Sequence, residues 1–283
     1  MSGISLVLER MPRVLLWATV GHVVVSVGAL LALGLAAAPI LGVHPALKPL
    51  KFGVSIALFL ATMGVVLPSL SAPAAARTAL AWLFAATMVA EMAPILAQAL
   101  RGTPSHFNMQ SAADSALWRL MLLAILVATA GMLGVAVLAT VRPLQAGADQ
   151  AMPPLLAFAW RAGVWLLLLA PVSGFAMGGR GQHSVGGADG GAGLPLVNWS
   201  VLHGDLRVSH FFALHALQVL PLLAWLLLRV RAAAWARWAM VLTAAAVTTA
   251  LCLGTLAQAF RGRPFLHRAD GADGASAPAP RAP

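Results

Sequence analysis

The sequence predicts an all-α polytopic membrane protein with seven transmembrane helices. Of its 283 residues, 60% are hydrophobic and only 9% are charged, and the mean hydropathy is +0.88. These values lie far outside the range of soluble domains. Seven apolar segments are each long enough to cross a hydrocarbon core, which needs about 20 residues. Because unpaired backbone groups are costly in lipid, we predict that all seven are helices, with the lipid bilayer as their partner.

The predicted crossings fill most of the chain. They span 13–36, 52–71, 78–100, 115–141, 153–177, 207–229 and 235–260. The first apolar run exceeds the core of about 7–15 residues in a cleavable signal peptide, so we expect it to stay in the mature protein. Cys252 is the only cysteine, which excludes an intramolecular disulfide. The small, polar tail at 269–283 is predicted to be disordered.

Two strings indicate an internal duplication. LAQALRGTP at Leu96–Pro104 returns as LAQAFRGRP at Leu256–Pro264, and a weaker echo relates His44 to His203. Chance similarity in Ala/Leu-rich sequence is the alternative. A duplication predicts two three-helix repeats, residues 1–110 and 151–268, joined by a linking helix in 111–150. Four crossings would separate the copies, so the repeats would be parallel. This 3+1+3 architecture resembles that of the SWEET sugar transporters and their PQ-loop relatives, without their motifs.

Charge indicates the orientation. A raw count of basic residues is higher on the side opposite the start of the first helix, which is the alternative orientation, but several of those residues lie on polar stripes or in the tail. The net charge of +10 comes from basic residues at helix ends, which favours membrane anchoring and predicts no nucleic-acid partner. We call the side of the first helix's start face A and the opposite side face B. Face A carries short-loop arginines of the kind that set topology: Arg10, Arg13, Arg77, Arg142, Arg229, Arg231 and Arg237. We therefore expect a bacterial inner-membrane protein with a cytoplasmic N-terminus and an external C-terminus.

Most histidines fall on the face-B side. Only His22 lies nearer face A, and the others are His44, His106, His183, His203, His210, His215 and His267. Loop histidines scattered without a role are the alternative. The helical phase of the neighbouring polar residues favours a site instead.

The third predicted helix carries one polar stripe. Glu91, Pro94, Gln98 and Arg101 fall within about 80° of each other on a helix. Glu91 lies about 15 Å below the Arg101 end, near the middle of the membrane. An ionisable group there should face the bundle and is a functional candidate by default. The alternative is a protonated glutamic acid that only bonds to a neighbouring helix.

The second and sixth predicted helices, which correspond in the two repeats, also carry polar stripes. Lys48 and Lys51 mark the second helix, whereas Arg207, His210, His215 and Gln218 mark the sixth. We predict a polar cavity between the second, third, sixth and seventh helices, open toward face B.

Two face-B loops could close this cavity. The first, RGTPSHFN at Arg101–Asn108, brings His106 and Asn108 to the end of the Glu91 helix. The second runs over residues 178–206, is rich in glycine, and contains His183, Asp189 and Asp205. A loop of this length is usually functional or disordered. A flexible linker is the alternative, but Trp199 indicates packing.

These motifs resemble an uncharacterised group of bacterial multi-pass membrane proteins. The group has a KPxKF segment, an SHFN turn after an intramembrane Glu, a His-Thr-Val-Gly loop followed by DGGxGLPxxNWS, and GDLRxxHFxxLHALQ. The matching positions are Lys48, Pro49, Lys51 and Phe52, then Glu91, Ser105 to Asn108, His183 with Ser184 in place of Thr, and Gly204 to Gln218. The resemblance covers most of 44–221 and implies the place of a site, but no reaction.

Three functions remain open. The first hypothesis is a redox site for copper, iron or zinc, with Glu91, His106, His183, His210 and His215 as ligands. A haem is its variant, with His210, His215 and His22 as cofactor-binding residues. Catalytic candidates are Glu91, Arg101, Arg207 and Asp205.

The second hypothesis is a transporter of a small, possibly anionic, molecule. Its substrate-binding candidates are Lys48, Lys51, Gln98, Asn108 and Gln218, and Arg101 and Arg207 would help to attract an anion. The third is a sensor or assembly partner that docks through the long loop.

Overall fold

All seven predicted membrane crossings are helical in the computed structural model, which describes residues 9–147 and 150–266. The helices are α1 (Arg13–Ala32), α2 (Leu47–Ser69), α3 (Ala74–Leu100), α4 (Ala112–Val141), α5 (Pro154–Leu167), α6 (Ala170–Arg180), α7 (Leu206–Leu227) and α8 (Ala234–Phe260). Helices α5 and α6 together make the fifth crossing. The predicted all-α polytopic fold is confirmed. His267 and the predicted disordered tail lie outside the described residues.

Two helix boundaries differ from the prediction in ways that affect the polar residues. Helix α2 begins at Leu47 rather than at residue 52, because Pro49 is tolerated in a first turn where its missing N–H has no helical partner. Lys48 and Lys51 therefore belong to the helix. The fifth crossing is interrupted between Leu167 and Ala170. Pro171 lacks the N–H that would bond to the carbonyl of Leu167, so the helix breaks there.

Short strands order the loops. At face A, β1 (Gln145–Gly147) pairs with β2 (Gln150–Ala151) in antiparallel fashion. At face B, β3 (Ser184–Val185) pairs with β4 (Gly204–Asp205) and closes the base of the long loop. An isolated bridge between Gly193 and Ser200 adds a second tie within it. The loop thus has structure of its own.

One hydrophobic core joins the two halves of the chain. The largest buried cluster contains Leu60, Phe84 and Val135 from the first four helices, and it extends to Val164 of α5 and Leu217 of α7. Helix α7 also packs closely on α5, where a β-carbon at Gly163 would lie 2.9 Å from the Cα of Leu217. Small residues allow this close approach of backbones, as in other membrane bundles.

The two repeated strings end their helices in the same way. After α3, Gly102 has a left-handed φ of 68°, and the N–H of Thr103 donates to the carbonyl of Gln98 at 3.0 Å. After α8, Gly262 has a φ of 72°, and the N–H of Arg263 donates to the carbonyl of Gln258 at 3.2 Å. Both are Schellman ends, which favour glycine at the left-handed position. The division of the whole chain into two repeats stays a prediction.

Arginines satisfy helix carbonyls at face A. Arg77 donates to the carbonyl of Leu70 at 3.1 Å, just past the end of α2. Arg161 donates to the carbonyl of Ala139 at 2.7 Å, in the last turn of α4. Arg237, in the first turn of α8, donates to the carbonyl of Ala232 at 2.9 Å, in the loop before that helix. Positive charge is favourable at the ends of α2 and α4 because the helix dipole points its negative pole there.

Candidate functional site

The predicted intramembrane carboxyl, Glu91, is buried in α3 and contacts His106. Its Oε1 lies 3.3 Å from the Nε2 of His106. On the other side of the ring, Nδ1 lies 3.0 Å from the Nζ of Lys48. A protonated lysine only donates, so Nδ1 accepts from Lys48 and the ring proton sits on Nε2, which faces Glu91. The three side chains form one polar chain from α2 to α3, with a hydrogen bond at Lys48 and a 3.3 Å contact at Glu91.

The turn after α3 brings His106 to Glu91 by folding back toward the bundle. Phe107 adopts a left-handed φ of 59°, which is uncommon for a residue with a side chain and typical of functional turns. Asn108 stabilises the turn, since its Nδ2 donates to the carbonyl of Pro104 and its Oδ1 accepts from the N–H of Gln110, both at 3.1 Å. Asn108, predicted to bind substrate, therefore serves the turn in this structure.

Aromatic rings enclose His106. Its ring centroid lies 5.5 Å from that of Phe52 and 5.4 Å from that of Trp118. Burial lowers the pKa of His106 well below its usual value of 6.5, and the nearby Lys48, His183 and His210 lower it further. Because desolvation disfavours the charged ring, His106 is neutral at neutral pH.

His183 is held in the long loop by Asp189. The Nδ1 of His183 lies 2.7 Å from a carboxylate oxygen of Asp189, which also accepts from the backbone N–H groups of His183 and Ser184, each at 2.9 Å. Partial burial acts to raise the pKa of Asp189, but these bonds hold it well below its usual range. Burial lowers the pKa of His183 despite its carboxylate partner. Its ring packs on Phe107 at 5.1 Å between centroids, beside the His106 turn.

His210 is oriented by the break in the fifth crossing. Its Nδ1 donates to the carbonyl of Ala170 at 2.9 Å. His210 and His183 both lie close enough to His106 to affect its pKa. Of the five predicted metal ligands, Glu91 and His106 are therefore in contact, and His183 and His210 lie within electrostatic range of His106. The fifth, His215, packs on Phe211 with 4.4 Å between ring centroids.

Two basic residues hold the long loop over this cluster. Arg207 of α7 pairs with Asp205 at 2.6 Å and donates to the carbonyl of Asn198. Lys51 of α2 donates to the carbonyl of Val197 at 3.2 Å. Asp205 also accepts from the N–H of Ser200 at 2.8 Å. Asp205 and Arg207, predicted as catalytic candidates, thus anchor the loop to the start of α7.

Arg101 and Gln98 meet an acid that the sequence prediction missed. Asp114 lies 2.8 Å from the guanidinium of Arg101 and accepts from the amide of Gln98 at 2.7 Å. It lies in the first turn of α4, where its N–H donates to the Oγ of Ser111 at 3.1 Å. A serine three residues before an acid at the start of an apolar run is a helix-capping pattern, so this signal was present in the sequence.

The remaining candidates lie apart. His22 of α1 is buried, with Nδ1 2.7 Å from the carbonyl of Ala18 and Nε2 3.4 Å from that of Met88. Gln218 donates to the Oγ1 of Thr62 at 3.3 Å. Within residues 9–147 and 150–266, no contact joins His22 to His210 or His215. The same part of the chain offers no hydrogen-bond partner to Oε2 of Glu91 or Oε1 of Gln218.

The predicted metal ligands do not form a closed metal centre. Over the part of the chain that the structure describes, no group of three or more His, Cys, Asp or Glu side chains is placed to hold an ion. The copper, iron, zinc and haem hypotheses therefore stay predictions.

Comparison with known proteins gives no relative, since no family model, no curated protein and no solved structure matches this chain.

Proposed function

We propose that this protein is a proton-coupled membrane transporter for a small molecule, with Glu91 as the group that exchanges the proton. The polar chain from Lys48 through His106 to Glu91 carries the proposal. It joins a face-B lysine to a carboxyl inside the membrane, and intramembrane ionisable residues of this kind mark ion and proton pathways.

The chain has the chemistry of a proton relay. When Nδ1 of His106 takes a proton from the Lys48 ammonium, the ring proton on Nε2 passes to Oε1 of Glu91. Lys48 and Glu91 end neutral, His106 ends neutral in its other tautomer, and the total charge of the three groups is unchanged. Lys48 then regains a proton from water at face B. Histidine suits this role because its two ring nitrogens are distinct.

The second carboxyl oxygen of Glu91, Oε2, supports the idea that this carboxyl changes its hydrogen-bond partner during transport. Oε2 is buried and has no hydrogen-bond donor among the described residues, although a buried acceptor is costly to leave unpaired. A substrate N–H or O–H would satisfy it in one state of the transporter.

Infrared difference spectroscopy on the purified protein tests the proton step. We expect a carboxylic C=O band that appears and disappears between about pH 5 and 9, because a group that exchanges protons in function must titrate near the operating pH. The band should be lost in Glu91→Gln. The chain has one other glutamate, Glu9, so Glu9→Gln is the matched control and should keep the band. A band that survives in Glu91→Gln, or no band at all, overturns the proposal.

A metal centre is the second candidate, favoured by how two histidines are held. Nδ1 of His183 meets Asp189 and Nδ1 of His210 meets a backbone carbonyl. This arrangement fixes the tautomer of metal-binding imidazoles and leaves Nε2 for copper, zinc or iron. Metal analysis of the purified protein should then find about one ion per chain, lost in His183→Gln and His210→Gln but kept in His44→Gln. Absence of stoichiometric metal from the wild type contradicts this candidate.

A further inference from the structure

We infer that the site binds a small anion through a carboxylate or phosphate group, and that two backbone carbonyls of the long loop occupy the place of its oxygens in this structure. This inference rests on the proposed transport function and names its substrate class. The segment concerned is residues 194–201, which we call the loop tip.

The two carbonyls are adjacent in the chain and each meets a cation. The carbonyl of Val197 accepts from Lys51 at 3.2 Å, and the next carbonyl, that of Asn198, accepts from Arg207. Lys51 belongs to α2 and Arg207 to α7, so the two cations approach the loop tip from different helices. A carboxylate or phosphate offers two oxygens to two donors in the same way and adds charge to the hydrogen bonds.

Lys51 makes no salt bridge among the described residues. Asp205 lies close enough to attract it, but that carboxylate already pairs with Arg207 at 2.6 Å, and Lys48 is linked through His106 to Glu91. Lys51 itself donates to the neutral carbonyl of Val197, and the positive charges of Arg207 and Lys48 lie near enough to repel it. A half-buried cation between two others is stabilised when an anion joins it. The excess positive charge thus predicts the sign of the ligand.

The loop tip is built to lift as one unit. Leu194 and Trp199 are joined by a backbone bond at 2.8 Å, and the N–H of Asn198 donates to the carbonyl of Leu194 at the same distance. Leu196 adopts a left-handed φ of 63°, which residues with a bulky side chain rarely do, and Asn198 follows with a φ of 54°, which asparagine tolerates more readily. The closed tip therefore holds strained backbone, and an anion that takes over Lys51 and Arg207 lets it open.

Hydrogen–deuterium exchange of the loop tip tests this inference on the full-length protein in lipid nanodiscs. The probes are inorganic phosphate and succinate, each compared with chloride at equal ionic strength. We expect one or both probes to speed exchange at residues 194–201. Lys51→Gln should weaken the response about tenfold, the loss of one charged hydrogen bond, whereas Lys51→Arg should keep it. Arg180→Gln, at an exposed cation on the same face, is the matched control and should respond like the wild type.

The outcomes separate the alternatives. A response to succinate alone identifies a carboxylate, and a response to phosphate alone identifies a phosphate group. If neither probe changes exchange beyond chloride, or if Lys51→Gln and Arg180→Gln respond alike, the carbonyls are only a structural tether and the inference is wrong. Folding of Lys51→Gln is verified by its melting temperature. The assay uses no pH gradient and so does not depend on the proton relay. If Glu91→Gln still responds to the anion, the inference about the anion stands even where the proposal of a proton relay is wrong.

Discussion

His106 is the residue on which most of the site depends. It contacts Lys48 and Glu91 through its two ring nitrogens, and it lies between the rings of Phe52 and Trp118. An imidazole with both nitrogens engaged and both faces packed is fixed in position and tautomer. A fixed neutral ring makes a defined donor for Glu91 and a defined acceptor for Lys48.

The lowered pKa of His106 predicts acid sensitivity. Because the folded protein holds His106 neutral below its ordinary pKa of 6.5, the unfolded chain binds more protons there. The stability that His106 contributes is present above pH 6.5 and is lost as the pH falls toward the folded pKa. The stability of the folded protein should therefore fall as the pH is lowered from 6.5 to 5.

Melting temperature measured against pH checks this prediction. His106→Gln should melt lower than the wild type at pH 7.5 but show a shallower decline toward pH 5. The remaining decline comes in part from His183, whose pKa is also lowered. His44→Gln serves as the control and should retain the wild-type slope. Equal slopes in His106→Gln and the wild type would contradict the prediction.

At this scale the sequence predicts that Glu91 and His106 share a site, but not the turn that brings them into contact. The cost of a charge in lipid alone indicates that Glu91 faces the bundle. Its contact with His106 depends on a turn that folds back through the left-handed Phe107, and no residue-type preference predicts that φ for phenylalanine. Asp114 could be predicted from the capping pattern with Ser111, whereas its bond to Gln98 depends on how α3 and α4 pack.

At the scale of elements, Gly163 sets the distance between α5 and α7. A β-carbon there would lie 2.9 Å from the Cα of Leu217 and 3.1 Å from the carbonyl oxygen of Ala216. Both neighbours are backbone atoms, which cannot rotate away. Gly163→Ala should therefore separate the helices and lower stability by about 1–3 kcal/mol.

Gly134 in α4 is the matched control, because nothing lies within 4 Å of a β-carbon built on it. Gly134→Ala should be neutral or stabilising by up to about 1 kcal/mol through helix propensity. Thermal unfolding in detergent compares the two variants. If both glycines tolerate alanine equally, the close packing of α5 on α7 does not limit stability and the prediction is wrong.

The hydropathy of the sequence predicts the crossings because each needs a long apolar run. It does not predict the structure of the long loop, where β3–β4 pairing and the ties to Lys51 and Arg207 replace the flexible linker that its glycines allow. Trp199 gave the one local signal of order, and it packs on Phe211 and Phe265 with ring centroids 5.4 and 5.9 Å apart. Long-range contacts of this kind are not encoded in local composition.

At the scale of the whole molecule, the number of crossings bears on orientation. If all seven candidate crossings among the described residues traverse the bilayer, α1 begins and α8 ends on opposite sides, and the arginines of face A favour the cytoplasm for the side on which α1 begins. The candidate site at face B would then meet the external solution. A C-terminal alkaline phosphatase fusion expressed in a bacterium should be active, and a C-terminal green fluorescent protein fusion should be dark. A fluorescent C-terminal fusion reverses the orientation and places the site on the cytoplasmic side.

The matching ends of α3 and α8 have a consequence for how such a protein could evolve. Each end is shaped by backbone hydrogen bonds and one left-handed glycine, so its geometry places no demand on the glutamine side chain. Gln98 donates to Asp114, whereas Gln258 donates to the carbonyl of Pro264 at 2.6 Å. If both ends descend from one ancestral unit, selection could change the side-chain hydrogen bonds of one copy while the other copy kept the fold intact.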